Sequence, residues 1–301
     1  MHMQIGITGA TGMIGQAVGT LALGTGHEVT GYSRRPLGPQ PHLSRTLLST
    51  AEEPLPETKL DALIHLAGET LLGVWTQAKL ERIWKSRVDL TKQIVSKLRG
   101  WKPENRPRVL LCASGVGYYG DRGDEVLEEN SSPGSGYLAG LCREWEAAAK
   151  HASAMGIRVV LLRTGLVLGP AGGAFPLMRR AFACGAGGRL GSGRQWMPWI
   201  HEQDQATLIL WALENESVVG PVNLCSPNPV TNAEFTRLLA RHLHRPALLH
   251  TPAFLMRLLP RRMAEEMLLA SQRAFPRVAT DLGYRFAFPT LDDALTELGR
   301  S

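Results

Sequence analysis

Eight residues into the chain, a glycine-punctuated turn separates two very different hydrophobic patterns. Before it runs Gln4–Thr8, apolar and strand-like; after it Met13, Ile14, Ala17, Val18 and Leu21 recur at helical spacing. The turn itself reads Thr8-Gly9-Ala10-Thr11-Gly12-Met13-Ile14-Gly15, a G-x-x-G-x-x-G sequence. In a chain with 32 glycines the triplet alone says little. Its position, closing a strand and opening an amphipathic helix, is what constrains the fold. Gly9 permits the tight turn, Gly12 lets backbone approach a pyrophosphate, and Gly15 lets the helix pack on the strand. The free N–H groups at the helix start then face an anion. Gly9, Thr11, Gly12, Met13, Ile14 and Gly15 are therefore candidate contacts of a dinucleotide cofactor.

The rest of the first half keeps the same alternation. Candidate strands are Gln4–Thr8, Glu28–Ser33, Ala62–Leu66, Arg108–Ala113 and Arg158–Leu162, with helical patterns between them. Such βαβ succession predicts α/β architecture, a doubly wound parallel Rossmann sheet. The strands alternate little between apolar and polar, as a sheet covered on both faces requires. Beyond Pro170 the texture changes. A glycine-rich stretch, Gly185–Gly193, leads into Gln195-Trp-Met-Pro-Trp-Ile-His201, and helical patterns follow at Gln205–Leu213 and Asn232–His242. Pro252, Pro260, Pro276 and Pro289 then punctuate short helices. The expected division is residues 1–170 for the dinucleotide-binding domain, with contributions from 205–230. Residues 171–301 form a smaller, mostly helical substrate lobe and C-terminal extension.

Bulk properties narrow the function classes. The apolar runs, such as Val159–Leu162 and Leu208–Leu213, are far shorter than a membrane span. The chain enters its first strand without a basic segment and apolar stretch, so no signal peptide is expected and the address is cytoplasmic. Net charge is +6, yet no run of five basic residues occurs among the 33. An anionic small molecule suits that balance better than nucleic acid. Arg261-Arg262, a candidate nucleic-acid contact, is followed within one helical turn by Glu265 and Glu266. Cys112, Cys142, Cys184 and Cys225 lie at least 30 residues apart, which gives no metal-ligand spacing and no disulfide framework. No metal is expected.

The end of the second strand sets the flavour of cofactor. NAD sites usually place a carboxylate there for the ribose 2′-hydroxyl. This chain has Tyr32-Ser33-Arg34-Arg35. A hydroxyl and a guanidinium fork suit a 2′-phosphate, so Ser33 and Arg34 predict NADP.

Further landmarks follow in order: Ile64-His-Leu-Ala-Gly-Glu69, Ala113-Ser-Gly-Val-Gly-Tyr-Tyr-Gly120, Tyr137 at a helix start, Arg163-Thr-Gly-Leu-Val-Leu-Gly169, and Pro198-Trp-Ile-His-Glu-Gln-Asp204. Together they resemble the extended short-chain dehydrogenase/reductases, the group that includes nucleotide-sugar epimerases and dehydratases. More narrowly, Ser86-Arg87, Leu138-Ala-Gly-Leu-Cys-Arg-Glu-Trp-Glu146, Gly187-Gly-Arg-Leu-Gly-Ser-Gly193 and Ser271-Gln-Arg273 resemble an atypical epimerase-like branch with a C-terminal extension, sometimes labelled cell-division inhibitors. The resemblance implies NADP(H) binding, with Leu66 and Ala67 touching the cofactor through backbone. It implies that Leu166 and Val167 meet the nicotinamide carboxamide. Arg87 stands where the wider group carries Asn; it reaches a cofactor phosphate or is an exposed helix arginine.

In that group a Tyr phenol is general acid or base, a Lys four residues later lowers its pKa, and a Ser or Thr hydroxyl binds the substrate oxygen. Ser114 and Tyr137 occupy two of these places and are the candidate catalytic residues. The third is Leu141, and Tyr137, Leu141 and Trp145 read as a packing stripe. Tyr137 is thus either catalytic or a hydrogen-bonded aromatic at a helix start; Ser114 either catalytic or a small residue closing a strand. Trp75, Trp84, Trp196, Trp199 and His201 are candidates to line a pocket for a planar or sugar-bearing small molecule, although Trp is equally a core filler. Two readings follow. One is an NADP(H)-dependent oxidoreductase or epimerase-like enzyme with altered acid–base chemistry; the other is a non-catalytic NADP(H)-binding redox sensor or regulator. Two exposed helices of this fold would serve a homodimer.

Overall fold

A computed structural model describes residues 2–247, 249–251 and 260–300. Seven parallel strands form its central sheet: β1 (Gln4–Thr8), β2 (Glu28–Ser33), β3 (Arg45–Leu48), β4 (Ala62–His65), β5 (Val109–Gly115), β6 (Arg158–Thr164) and β7 (Gly220–Leu224). Their spatial order is β7-β6-β5-β4-β1-β2-β3. The chain therefore winds outward from β1 in one direction, then returns to start again at β4. Register at that junction pairs Ile5 with Ala62 and Thr8 with His65. The carboxyl ends of β1 and β4 flank the crevice where open α/β sheets bind ligands.

Five of the seven strands stand where the hydrophobic pattern places them. The two that the pattern misses are the sheet edges. Strand β3 has exposed residues at both ends, and β7 begins Gly220-Pro221, a proline that an edge tolerates. Both sheet faces are covered. Helices α1 (Met13–Gly24) and α6 (Glu202–Glu214) bury Val18, Ala22, Leu208 and Ile209 against Ile5, Ile7, Ile64 and Val160. On the other face α3 (Leu90–Gly100) and α4 (Tyr137–Lys150) enclose Ile94, Leu98, Leu141 and Trp145 with Leu63, Leu110 and Leu161. The expected packing stripe on α4 is thus part of the core. Between β4 and α3 lies α2 (Gln77–Trp84), continued by a π-helical turn over Lys85–Asp89.

A third cluster assembles beyond the sheet. It joins α5 (Phe175–Ala183), α7 (Asn232–His242) and α9 (Leu291–Leu298) around Trp199, Phe175 and Phe235. This part is mainly helical, with small two-stranded pairings such as Leu249–Thr251 on Gly188–Leu190. The C-terminal segment is stitched back to the sheet domain. Arg273–Ala274 pairs with Val126–Leu127, α8 (Arg277–Asp281) packs at β7, and the Asp204 carboxylate accepts the N–H groups of Ala287 and Phe288. No helix among the described residues is long and apolar enough to cross a membrane.

Candidate functional site

The glycine turn occupies the switch point, and its three glycines answer to three different demands. Gly9 has φ +73°, and a Cβ there would stand 2.8 Å from the backbone of Leu66 and Ala67. Gly15 presses α1 onto the turn itself: a Cβ would fall 2.4 Å from Gly9 O. Sequence reading assigned Gly15 to helix–strand packing; its partner is the preceding turn. Gly12 differs from both. It has ordinary backbone geometry, φ −76°, and a Cβ would meet only Gly9 O at 3.3 Å. Thr11 and Gly12 are exposed, no side chain caps α1, and its first turn holds no acidic residue. The first N–H groups of α1, at Met13, Ile14 and Gly15, are left for an outside acceptor. This is a cradle that a Cβ at position 12 would fill, and it fits a phosphate.

A chain of hydrogen bonds with one fixed polarity holds the far wall. Trp145 Nε1 donates to Thr91 Oγ1 at 2.9 Å, while the Thr91 hydroxyl gives its only proton to Arg87 O. Thr91 Oγ1 must therefore accept from His65 Nε2, 3.0 Å away. His65 Nδ1 is then unprotonated and accepts from Thr8 Oγ1 at 2.6 Å, which in turn accepts from Ala67 N. Burial, reinforced by the Arg87 charge, pushes the His65 pKa down to about 4, so the ring stays neutral. Leu66 N donates to Thr8 O. The backbone of Leu66 and Ala67 is thereby locked against the end of β1.

Arg87, on the π-helical turn, is neither exposed nor free. Its Nη1 donates to Glu69 O at 2.9 Å, and its guanidinium lies 5.3 Å from the Trp145 ring centroid. It braces the Leu66–Glu69 loop. Beside that loop, the Glu69 carboxyl takes a 2.6 Å hydrogen bond from Lys79, which leads the influences holding its pKa below the usual range; Arg82 and Arg34 add to it. Arg34 is exposed at the end of β2 and makes no hydrogen bond among the described residues. Ser33 Oγ accepts from Arg35 N and so shapes that turn. At the other end of the crevice, the Met13 side chain packs on Gly172 and Gly173 near the carbonyl of Val167.

Both candidate catalytic hydroxyls are already donors within the protein. Ser114 is buried, and its Oγ donates to Glu146 Oε1 at 2.8 Å. Glu146 is also gripped by Arg163, whose Nε and Nη2 reach its two oxygens at 2.8 and 2.9 Å. Arg163 goes on to the Tyr119 hydroxyl and to Glu129 O, and Tyr119 donates to Asn223. The Tyr137 hydroxyl donates to Leu80 O of α2 at 2.7 Å, with Trp75 edge-on to its ring. Burial raises its pKa, only partly countered by Arg87 and Arg262. Leu141, in the place of the activating lysine, is enclosed in the core.

The start of α4 is closed as well. Both oxygens of Glu266 accept from its first N–H groups, Tyr137 N at 2.9 Å and Leu138 N at 2.7 Å. Sequence reading gave Glu266 no role, because nothing local links it to a helix 129 residues away. Of the pocket candidates, Trp75 and Trp199 are buried with their Nε1 on Leu71 O and Asn228 O. His201 is buried too and caps α6 by accepting from Gln203 N. Trp196 keeps a partly open ring, held by Asp124 and stacked under Arg273 at 4.5 Å.

Comparison with known proteins agrees with this layout. The signature of the NAD dependent epimerase/dehydratase family matches residues 5–225, and a domain of unknown function (DUF1731) matches residues 251–298. Epimerase family protein Mb2239 of Mycobacterium bovis is 38% identical over 97% of this chain and 96% of its own length. Epimerase family protein SDR39U1 of Homo sapiens is 35% identical over 98% of this chain and 99% of its own. The crystal structure of human SDR39U1 (isoform 2) with NADPH is 32% identical and superposes with a TM-score of 0.88, covering 99% of this chain and 100% of that one. With the signature spanning the whole sheet and the relatives aligned over nearly their full length, the chain belongs to the NAD dependent epimerase/dehydratase family.

Proposed function

We propose that this protein binds NADP(H) as an oxidoreductase or epimerase-like enzyme of the extended short-chain dehydrogenase/reductase type, with altered acid–base chemistry. The observation that carries the reading is the uncapped start of α1 beside the open face of Gly12. Gly9, Thr11, Gly12, Met13, Ile14 and Gly15 would receive the pyrophosphate, and Ser33 and Arg34 the 2′-phosphate. Leu66 and Ala67 would line the cofactor with locked backbone, held in place by Arg87, and Val167 would meet the carboxamide. The cofactor brings hydride-transfer chemistry; the protein's part is to hold and orient it. A human relative crystallised with NADPH supports the phosphorylated cofactor. A small-molecule substrate, sugar-bearing or planar, and a cytoplasmic setting complete the proposal.

Calorimetry with both cofactors tests it. Arg34→Ala removes a charge-assisted contact of about 1.5–3 kcal/mol, so NADPH affinity should drop roughly 10- to 150-fold while NADH affinity holds. Equal losses for the two would rule out the 2′-phosphate assignment. A second reading, a non-catalytic NADP(H) sensor or regulator, is favoured by one observation: Ser114 and Tyr137 both spend their protons on internal acceptors. Turnover of any carbonyl or nucleotide-sugar substrate by purified protein decides between the two.

A further inference from the structure

The loop from Gly169 to Gly173 lies against Met13, the first residue of α1. A Cβ on Gly172 would stand 3.0 Å from Met13 Cβ, and one on Gly169 would stand 3.1 Å from its sulfur. The same Gly169 lies against a carboxyl group: a Cβ there would fall 1.9 Å from Glu202 Oε2. Glu202 opens α6, which packs along α1. Its Oε2 is shielded from solvent and has no hydrogen-bond partner among the described residues. The carboxyl end of Glu202 thus occupies the space beside Gly169 that a Cβ would take. Neither Met13 on α1 nor Gly169 on the loop is titratable. On α6 itself, His201 is turned to Gln203 N and the Phe288 ring, and Asp204 to Ala287 and Phe288. Burial alone acts on Glu202, and it favours the protonated acid.

A carboxyl oxygen shielded from solvent on a half-buried residue, with no partner among the described residues, calls for an explanation. Met13, on the other side of Gly169, is among the residues assigned above to the pyrophosphate, and it shares the surroundings of Gly173 with the Val167 carbonyl. An ionised carboxylate here would oppose the phosphates, whereas a neutral acid offers an O–H. We propose that Glu202 is a further cofactor-binding residue, a neutral carboxylic acid that donates a hydrogen bond to the nicotinamide half of NADP(H). This rests on the dinucleotide reading given above. Binding then supplies the missing acceptor and raises the proton affinity of Glu202 further. By linkage, affinity falls about tenfold per pH unit between the carboxyl's pKa in the free protein and its higher pKa in the complex.

Calorimetric titration of wild type, Glu202→Gln and Glu202→Ala with NADPH and with NADH, from about pH 5 to about pH 9, tests this. The 2′-phosphate of NADPH titrates in that range in all three proteins, so the difference between wild type and Glu202→Gln isolates the carboxyl. Glu202→Gln keeps a neutral donor of the same shape; it should match wild type at low pH and hold its affinity where wild type weakens. Glu202→Ala should lose about tenfold at low pH. Superimposable pH profiles for wild type and Glu202→Gln, or undiminished binding by Glu202→Ala, would overturn the role of Glu202 and leave the cofactor site standing. Failure of wild type to bind either nucleotide would instead overturn the cofactor reading, and this inference with it.

Discussion

Two helices of this molecule begin at a glycine N-cap with no capping side chain of their own, and their starts are finished in opposite ways. At α1, Gly12 leaves the first N–H groups without a capping side chain. At α4, which follows Gly136, the corresponding groups are taken by Glu266 from the C-terminal segment. The contrast extends to the side chains around them. Near α1 lie the locked backbone of Leu66 and Ala67 and the exposed Arg34. Near α4 the Tyr137 and Ser114 hydroxyls are donated to Leu80 O and Glu146, and a leucine stands where an activating cation would be. An orphan helix terminus is costly when buried and useful when exposed to a ligand. One end of the crevice keeps its helix terminus uncapped, and the other is satisfied by the protein itself.

The most severe test of the closed end is Leu141→Lys, which restores the family pattern. Leu141 is packed among Leu63, Leu110 and Trp145, so the new ammonium would be desolvated with no partner. A buried lysine loses as much as 3–5 pKa units, a penalty of about 4–5 kcal/mol at pH 7, where the gap to the unperturbed lysine pKa of ~10.4 sets its ceiling. A base with a depressed folded-state pKa binds fewer protons folded than unfolded, so stability should rise with pH and the penalty fade toward about pH 10. Denaturant melts at several pH values check this. A fully stable variant with raised carbonyl reductase activity would show that the α4 end is an open active site after all.

The corresponding test of the open end is Gly12→Val. Its backbone conformation suits any residue, and a Cβ meets only Gly9 O, at a tight 3.3 Å, so the melting temperature should fall only modestly. The branched side chain would fill the cradle and weaken NADPH binding by at least about 100-fold, some 2.7 kcal/mol. Gly9→Ala should do the reverse of the first half: with φ +73° and backbone 2.8 Å away, it destabilises the fold itself. Unchanged NADPH affinity in a folded Gly12→Val would move the cofactor elsewhere.

The asymmetry between the two ends also decides what could be read from sequence. The α1 end was legible because strand, turn and helix are contiguous, and periodicity plus three glycines specify it locally. The five central strands were legible for the same reason, each carrying a local run of apolar and β-branched residues. The edges β3 and β7 were not, since their exposed and Gly-Pro residues look like loop. The α4 end was half legible: Leu141 announced a missing lysine, but nothing in the sequence ties Glu266 to Tyr137 or Ser114 to Glu146. Arg163 and Glu146 looked like ordinary charged residues on a strand and a helix. Their burial as a pair, 17 positions apart, depends on β6 lying beneath α4.

A smaller effect belongs to Glu266. Glu266→Gln keeps one acceptor and loses the charge at the start of α4, so stability should fall by about 0.5–2 kcal/mol, in the range of other lost N-caps. NADPH affinity should not follow, because the cap serves the closed end. Parallel melts and titrations separate the two quantities. A fall in cofactor affinity as large as the fall in stability would join the two ends into one site and undo the comparison.

The smallest expected effect comes from Tyr137→Phe, and it is the most informative about chemistry. The phenol gives its proton to Leu80 O, and burial raises its pKa, so little phenolate exists at neutral pH. Removing the hydroxyl leaves a carbonyl on α2 without its donor and should cost about 0.5–1.5 kcal/mol of stability. If the hydroxyl serves only to tie α4 to α2, NADPH affinity and any turnover remain at wild-type levels. A catalytic phenol would instead show its loss as a decrease of about 100-fold or more in kcat, with KM and stability little changed. That split between stability and kcat is what the experiment reads. A large kcat loss in a protein that melts like wild type would mean that the bond to Leu80 O opens when substrate arrives, and that the α4 end is closed only at rest.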